Sequence, residues 1–200
     1  MVRRTQGFCT EMASPSLTWT VTLSPTLIAA RLTCLPTFTC MVAPSGEPDA
    51  ELWIAGAPDL ENPARYTEAE LATWAAQPGV RLVGAITDVP GFWAQVHVAC
   101  LPSRGGEGLP RSLIEASACA RPVVTTDVPG CRQFVIDGET GFVRPPENAE
   151  ALAAAFMALR DKLLRDRMGA AGRQRVLQGY TTDHVAGLIA AAWRGVRFGR

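Results

Sequence analysis

A parallel α/β sheet with helices on both faces is the fold class that this 200-residue sequence predicts. Two observations predict it: unbroken apolar runs recur between helical segments, and one run enters a helix through a glycine-rich turn. Runs without polar alternation mark strands buried on both faces, and strands alternating with helices mark parallel pairing. An apolar content of 48% supports a packed core.

The elements follow in order from about residue 49. Leu52-Trp-Ile-Ala55 is a short apolar strand closed by Gly56. Thr67-Glu-Ala-Glu70 is a capping box that opens a helix to about Gln77. Val80–Val83 and Val96–Leu101 read as the next two strands, followed by the glycine-rich turn and a helix over about 110–119. Pro122–Thr126 is a fourth strand, and Gly141–Val143 is an extended piece after the Asp137-Gly138 turn. Asn148 can cap a helix to about Lys162, and another runs to about Gln178. Thr181 can cap a last helix, with Val185, Leu188, Ile189, Ala192 and Trp193 forming an apolar stripe that reads as core.

Residues 1–48 differ. They are rich in Thr, Ser, Pro and Cys, with prolines at 15, 25, 36, 44 and 48 and no sustained period, and they read as an irregular N-terminal extension. Thr18–Leu23 suits a short strand, but nothing in this stretch supplies a core or a site. The expected organisation is an irregular segment, 1–48, and one ligand-binding domain, 49–200.

Composition removes several function classes. Nineteen basic and nineteen acidic residues cancel, so no global field favours nucleic acid or an acidic membrane. The six cysteines form no Cys-x-x-Cys pair and no metal-ligand spacing, as expected of a reduced cytoplasmic protein. Met1-Val-Arg-Arg4 has the charge of a signal start, but Glu11 and Pro15 interrupt the stretch after it. No apolar run reaches membrane-spanning length, and a soluble chain is expected.

The glycine-rich turn carries the chemistry. Gly105, Gly106 and Gly108 allow positive φ and a close approach to a ligand, and Pro110 suits a helix start. The amides that come next, with the positive end of the helix dipole, make a seat for an anion. Glu107 and Glu115 flank that seat, a pattern suited to a ligand with both phosphate and sugar hydroxyls. Each acid has a plainer reading. Glu115 lies four residues after Arg111 and can form an ordinary surface ion pair, and Glu107 can be a solvated loop acid. His97, in a strand beside the turn, reads as structural rather than as a base, and His184 lies outside the loop.

Pro102-Ser-Arg-Gly-Gly-Glu-Gly-Leu-Pro110, Glu115-Ala-Ser-Ala-Cys-Ala-Arg-Pro-Val-Val-Thr-Thr-Asp-Val-Pro-Gly130 and Asp137-Gly-Glu-Thr-Gly-Phe-Val-Arg-Pro-Pro146 stand in this order. The string resembles the donor-binding half of retaining GT-B glycosyltransferases, and more narrowly family 4, which assembles bacterial polysaccharides and glycolipids. Gly56-Ala-Pro-Asp59, Glu61-Asn-Pro63, Gly84 and Met168-Gly-Ala-Ala-Gly-Arg173 extend it over roughly residues 50–195. The resemblance implies a Rossmann-like sheet, the C-terminal half of a GT-B fold. It implies a donor site of Gly105, Gly106, Glu107, Gly108, Leu109, Pro110 and Glu115. In that reading Glu107 is the catalytic residue beside the donor sugar, and Glu115 holds the nucleotide ribose. The Gly108 and Leu109 amides face the diphosphate. A nucleotide sugar is the implied substrate and a glycan or lipid-linked compound the acceptor, with no cofactor or metal expected and no nucleic acid as partner. A separate acceptor-binding domain is the other implied partner, and the inner face of the membrane the implied location.

The sequence also departs from that family. The usual opening Gly-Arg-Leu strand with a nearby lysine has only Arg31-Leu32 as an echo, and Lys162 is the sole lysine. Ala120 stands where the family usually has glycine, and Gln133 where it usually has an acid. No counterpart of the acceptor-binding half is expected within 200 residues, and an aberrant gene start is the expected reason for residues 1–48. Little transfer is therefore expected from this chain alone. A non-catalytic nucleotide-sugar or partner-binding module, and another GT-B enzyme such as a nucleotide-sugar epimerase, are the alternatives.

Overall fold

The computed structural model describes residues 39–44, 50–56, 67–105 and 108–195. Six strands form one sheet: β1 (Thr39–Pro44), β2 (Ala50–Ala55), β3 (Val80–Gly84), β4 (Val98–Leu101), β5 (Val123–Thr126) and β6 (Gly141–Arg144). Their order across the sheet is β3-β2-β1-β4-β5-β6. β2 pairs parallel with β3, β4 with β5, and β5 with β6, as the unbroken apolar runs predict. Every residue of β4 and β5 is buried, which requires cover on both faces.

Two expectations are corrected here. β1 lies within the stretch read as irregular, yet it is a central strand, pairing antiparallel with both β2 and β4. The sheet is therefore parallel except at β1, and it begins before residue 49. The apolar run Cys40–Ala43 is only four residues long and sits between Pro36 and Pro44, which read as strand breakers. The expected strand Thr18–Leu23 lies outside the described residues.

Helices cover both faces: α1 (Glu68–Ala75), α2 (Val89–Ala94), α3 (Arg111–Ala118), α4 (Pro129–Phe134), α5 (Ala149–Ala158), α6 (Lys162–Gly179) and α7 (Thr182–Gly195). One cluster joins Ala99, Leu101 and Val123 to Phe92, Trp93, Leu113, Ala116 and Phe134, from α2, α3 and α4. The other joins Leu52, Ile54, Val98, Cys100 and Val124 to Leu152, Ala155 and Met168, from α5 and α6. The alternation of Val98 with Ala99 is the period-2 geometry of a strand buried on both sides.

The caps follow the sequence. Thr67 and Glu70 form the expected reciprocal box, and Asn148 accepts from the Ala151 amide at 2.9 Å. Asp161 accepts from the Leu163 amide at 2.8 Å, so α5 ends early and α6 starts afresh. Neither α2 nor α4 is marked by periodicity, since each has six residues and carries a proline at its first or second position.

α3 ends in a Schellman motif. The Ala120 amide donates to Ser117 O at 2.9 Å and the Arg121 amide to Ala116 O at 3.0 Å, with Ala120 at φ +55°. That left-handed backbone is the physical reason for a glycine preference at this position. α6 comes so near that a Cβ on Gly169 would lie 2.1 Å from Ala120 O.

The apolar stripe of α7 forms but is not core. Val185, Leu188, Ile189 and Trp193 are all exposed, Trp193 at 66%. A helical period reveals an apolar face without saying what covers it. Among the described residues no helix is long and apolar enough to cross a membrane.

The place of His97, expected in the strand beside the turn, is corrected. The residue precedes β4, at the amino end of that strand and so at the sheet edge opposite the glycine-rich turn. Burial first, then the charges of Arg165, Arg121 and Lys162, lower its pKa from 6.5 to about 4. The imidazole is therefore neutral in the folded chain at pH 7.

These contacts lead to three expected outcomes. Gly169→Ala forces α6 off Ala120 and lowers the unfolding free energy by about 2 kcal/mol in denaturant titrations, despite alanine's better helix propensity. Ala120→Gly relieves the left-handed strain and raises it by about 1 kcal/mol. Between pH 6.5 and about 4, the unfolded chain takes up a proton at residue 97 that the folded chain does not. Stability contributed by neutral His97 is thus full above pH 6.5 and falls as the pH drops through that window. Melting temperatures of His97→Gln should fall less across it than those of the parent.

Candidate functional site

The carboxyl ends of β2, β3, β4, β5 and β6 share one sheet edge, because β1 alone runs the other way. Ligands of open α/β sheets bind at that edge. The loop from β4 to α3 lies there, as do Asp127 after β5 and Pro145–Asn148 after β6.

β5 sets the course of the loop. Thr125 Oγ1 donates to Leu101 O at 2.8 Å, and Thr126 Oγ1 donates to Ser103 O. Ser103 is buried, and its Oγ accepts from the Gly105 amide at 3.2 Å. Gly105 has φ +124° with no described atom near a hypothetical Cβ, so backbone conformation favours glycine there. Gly108 and Leu109 are exposed, whereas Pro110 is buried and opens α3. Of the expected site, Gly106 and Glu107 lie outside the described residues.

The start of α3 has no side-chain cap and no acid in its first turn. Its amides therefore keep the anion-seeking character of a helix start. Glu115 lies one turn further on, with its side chain 30% exposed. Its carboxylate takes Arg111 Nε at 2.9 Å, so the ordinary i,i+4 ion pair is present. That pair is exposed on the arginine side and holds the carboxylate only weakly.

Sequence reasoning left several residues of this edge unmarked. Arg104 pairs with Glu147 at 3.3 Å across the ends of β4 and β6, and Glu147 has φ +56°. Arg132 pairs with Asp127 at 3.1 Å. Arg144 and the Val143 amide both donate to Asp137 Oδ1 at 2.9 Å, which fixes the Asp137-Gly138 turn. The signal for Thr125 and Thr126 was available, since two hydroxyls end an otherwise apolar run. A buried hydroxyl costs free energy unless it is bonded.

The family model for glycosyl transferases group 1 matches residues 29–162. A phosphatidyl-myo-inositol mannosyltransferase of Mycobacterium leprae is 38% identical over 120 residues, 58% of this chain and 32% of that protein. The capsular polysaccharide biosynthesis glycosyltransferase CapM of Staphylococcus aureus is 32% identical over 136 residues, 68% of this chain and 35% of that protein. The chain thus spans about a third of the length of these relatives. Among solved structures, sucrose-phosphate synthase from Thermosynechococcus elongatus superposes with a TM-score of 0.67 at 26% identity, over 85% of this chain and 41% of that one. HepE of Anabaena, solved with UDP and glucose, superposes at 0.64 and 21% identity, over 72% of this chain and 40% of that one. With its sheet, its edge loop and a match over residues 29–162, the chain belongs to the group 1 glycosyltransferases and carries a GT-B-type α/β domain.

Proposed function

We propose that this sheet edge binds a nucleotide-diphosphate sugar as the donor of a retaining, family 4-type glycosyl transfer. The observation that carries the reading is the uncapped start of α3, with Glu115 one turn inside it and the β4–α3 loop ahead of it. Free amides and the helix dipole suit the diphosphate, and an ionised Glu115 can accept from two ribose hydroxyls at once. Gly108 fits this scheme. A Cβ there would meet no described protein atom, so internal packing does not demand glycine, whereas close approach of a phosphate does.

During transfer the sugar becomes oxocarbenium-like while charge builds on the leaving diphosphate. Preorganised amides stabilise that charge without rearranging, which is the main catalytic contribution assigned to this edge. Glu107 is assigned to the donor sugar's hydroxyls by the family resemblance. Transfer also requires an acceptor held in line, and positioning accounts for a large share of the barrier. The chain spans about a third of its relatives' length, so donor binding is the step assigned to these residues. A glycan or lipid-linked acceptor accords with the names of those relatives.

Calorimetric titration with UDP, GDP and ADP and their sugar conjugates tests the proposal. One nucleotide should bind saturably, and HepE's UDP makes that nucleotide the first to try. Glu115→Gln should weaken binding by roughly 10- to 100-fold, the loss of charge-assisted bonds of about 1.5–3 kcal/mol. Its stability should change by only a few tenths of a kcal/mol, the scale of an i,i+4 pair. Unchanged affinity in this variant would reduce Glu115 to the partner of Arg111.

A further inference from the structure

We infer that Thr126 is a positioning residue for the donor loop, an assignment that rests on the proposed donor site. β5 pairs with β4 through the backbone as far as Leu101, which lies opposite Thr125. Beyond that point β4 leaves the sheet and the ladder has no further rung. The Thr126 hydroxyl continues it, donating to Ser103 O two residues past the end of β4. Ser103 passes the constraint on, because its Oγ accepts from the Gly105 amide at 3.2 Å.

The burial of the relay gives it its force. Thr126 is 1% exposed and Ser103 6%. Valine fills nearly the same volume as threonine and suits an apolar strand, so packing gives no reason for a hydroxyl there. Without its bond that hydroxyl would be a buried cost, and without the hydroxyl the Ser103 carbonyl loses this donor. Thr125 makes the preceding contact, to Leu101 O at 2.8 Å. Two consecutive hydroxyls from one strand thus hold the backbone just before Gly105 takes its φ of +124°. A loop that binds phosphate through its own amides needs this support, since displacement of about an ångström weakens the binding it can offer.

The test compares Thr126→Val, Thr126→Ser and Ser103→Ala in the full chain by amide hydrogen exchange, thermal melting and titration with UDP, GDP and ADP. Thr126→Val should speed exchange across residues 101–105 and leave α6 unchanged. Ser103→Ala should do so at Gly105 alone. Nucleotide affinity of the folded protein should fall about tenfold in both variants, the loss of one buried bond. Thr126→Ser, which keeps the donor, should restore exchange and affinity together. Lower melting with unchanged exchange and affinity in Thr126→Val would overturn the assignment and leave a purely structural hydroxyl. If Thr126→Val does not fold, Ser103→Ala decides the matter from the other end of the relay. Failure of the parent chain to bind any nucleotide would overturn the donor reading, while the exchange data would still decide whether Thr126 holds the loop.

Discussion

The close approach of α6 to the end of α3 is the contact on which the site depends. Gly169 lies under the Ala120 carbonyl, where any Cβ would collide at 2.1 Å, and Gly172 lies against Ser117. This proximity brings Arg173 to the Ala118 carbonyl, and Arg121 adds a bond to Cys119 O at 3.0 Å. The Schellman bonds serve Ala116 O and Ser117 O, so these arginines supply donors to the next carbonyls, Ala118 O and Cys119 O, at the negative end of the helix dipole. Cations on those carbonyls satisfy the hydrogen bonds and oppose the dipole's negative pole. α6 repeats the device elsewhere. Arg175 reaches Phe134 O at 2.8 Å at the end of α4, and the buried Arg165 reaches Leu159 O at 2.7 Å at the end of α5. One helix therefore ties down the ends of three others.

With its C-terminal end held, α3 presents its N-terminal end at a defined place on the sheet edge. β5 holds the other end of the connection through Thr125 and Thr126. The Gly105 turn is thus suspended from a strand on one side and a helix on the other, and both supports are buried. The groups it would offer to the proposed donor are mainly backbone amides, whose positions depend on their supports and not on their own side chains. A site of this kind is sensitive to changes in residues that never touch ligand. Gly169, in α6, is one such residue, because it sets where α3 can lie.

The fold was largely legible because its strong signals are local. Thr67 with Glu70, Asn148 before an alanine-rich run, and unbroken strands such as Val123–Thr126 each report on their own neighbourhood. β1 was not legible, because its strand character comes from partners 16 and 60 residues away in sequence, Ala55 opposite Thr39 and Cys100 opposite Cys40, and its last residue is a proline. The α7 stripe failed in the opposite sense: periodicity was clear, but burial depends on what lies outside the helix. At the site, Gly105 and Glu115 could be singled out from spacing. The threonine relay could not, because Ser103 O is a backbone atom that no residue type announces.

The reversed strand has a consequence for how the proposed donor's charge would be met. In a doubly wound sheet the crevice lies where the strand order turns, here between β1 and β4. A parallel strand at β1 would deliver its own carboxyl end, with a following loop and helix start, to that crevice. β1 delivers its amino end instead, since Cys40 pairs with Cys100 near the carboxyl end of β4. Among the described residues, the loop beside this crevice that leads into a helix start is therefore the one from β4 to α3. In the proposed donor mode the diphosphate's charge would fall mainly on that helix start, with Arg104 and Arg111 as the nearest cations in sequence. Both are already paired, with Glu147 and Glu115. A diphosphate bound in that mode would compete with two carboxylates, Glu147 exposed and Glu115 half-buried, and added salt would weaken both sides of the contest. On the proposed donor reading, affinity at this edge would be set by how rigidly the β4–α3 amides are held more than by the number of cations around them.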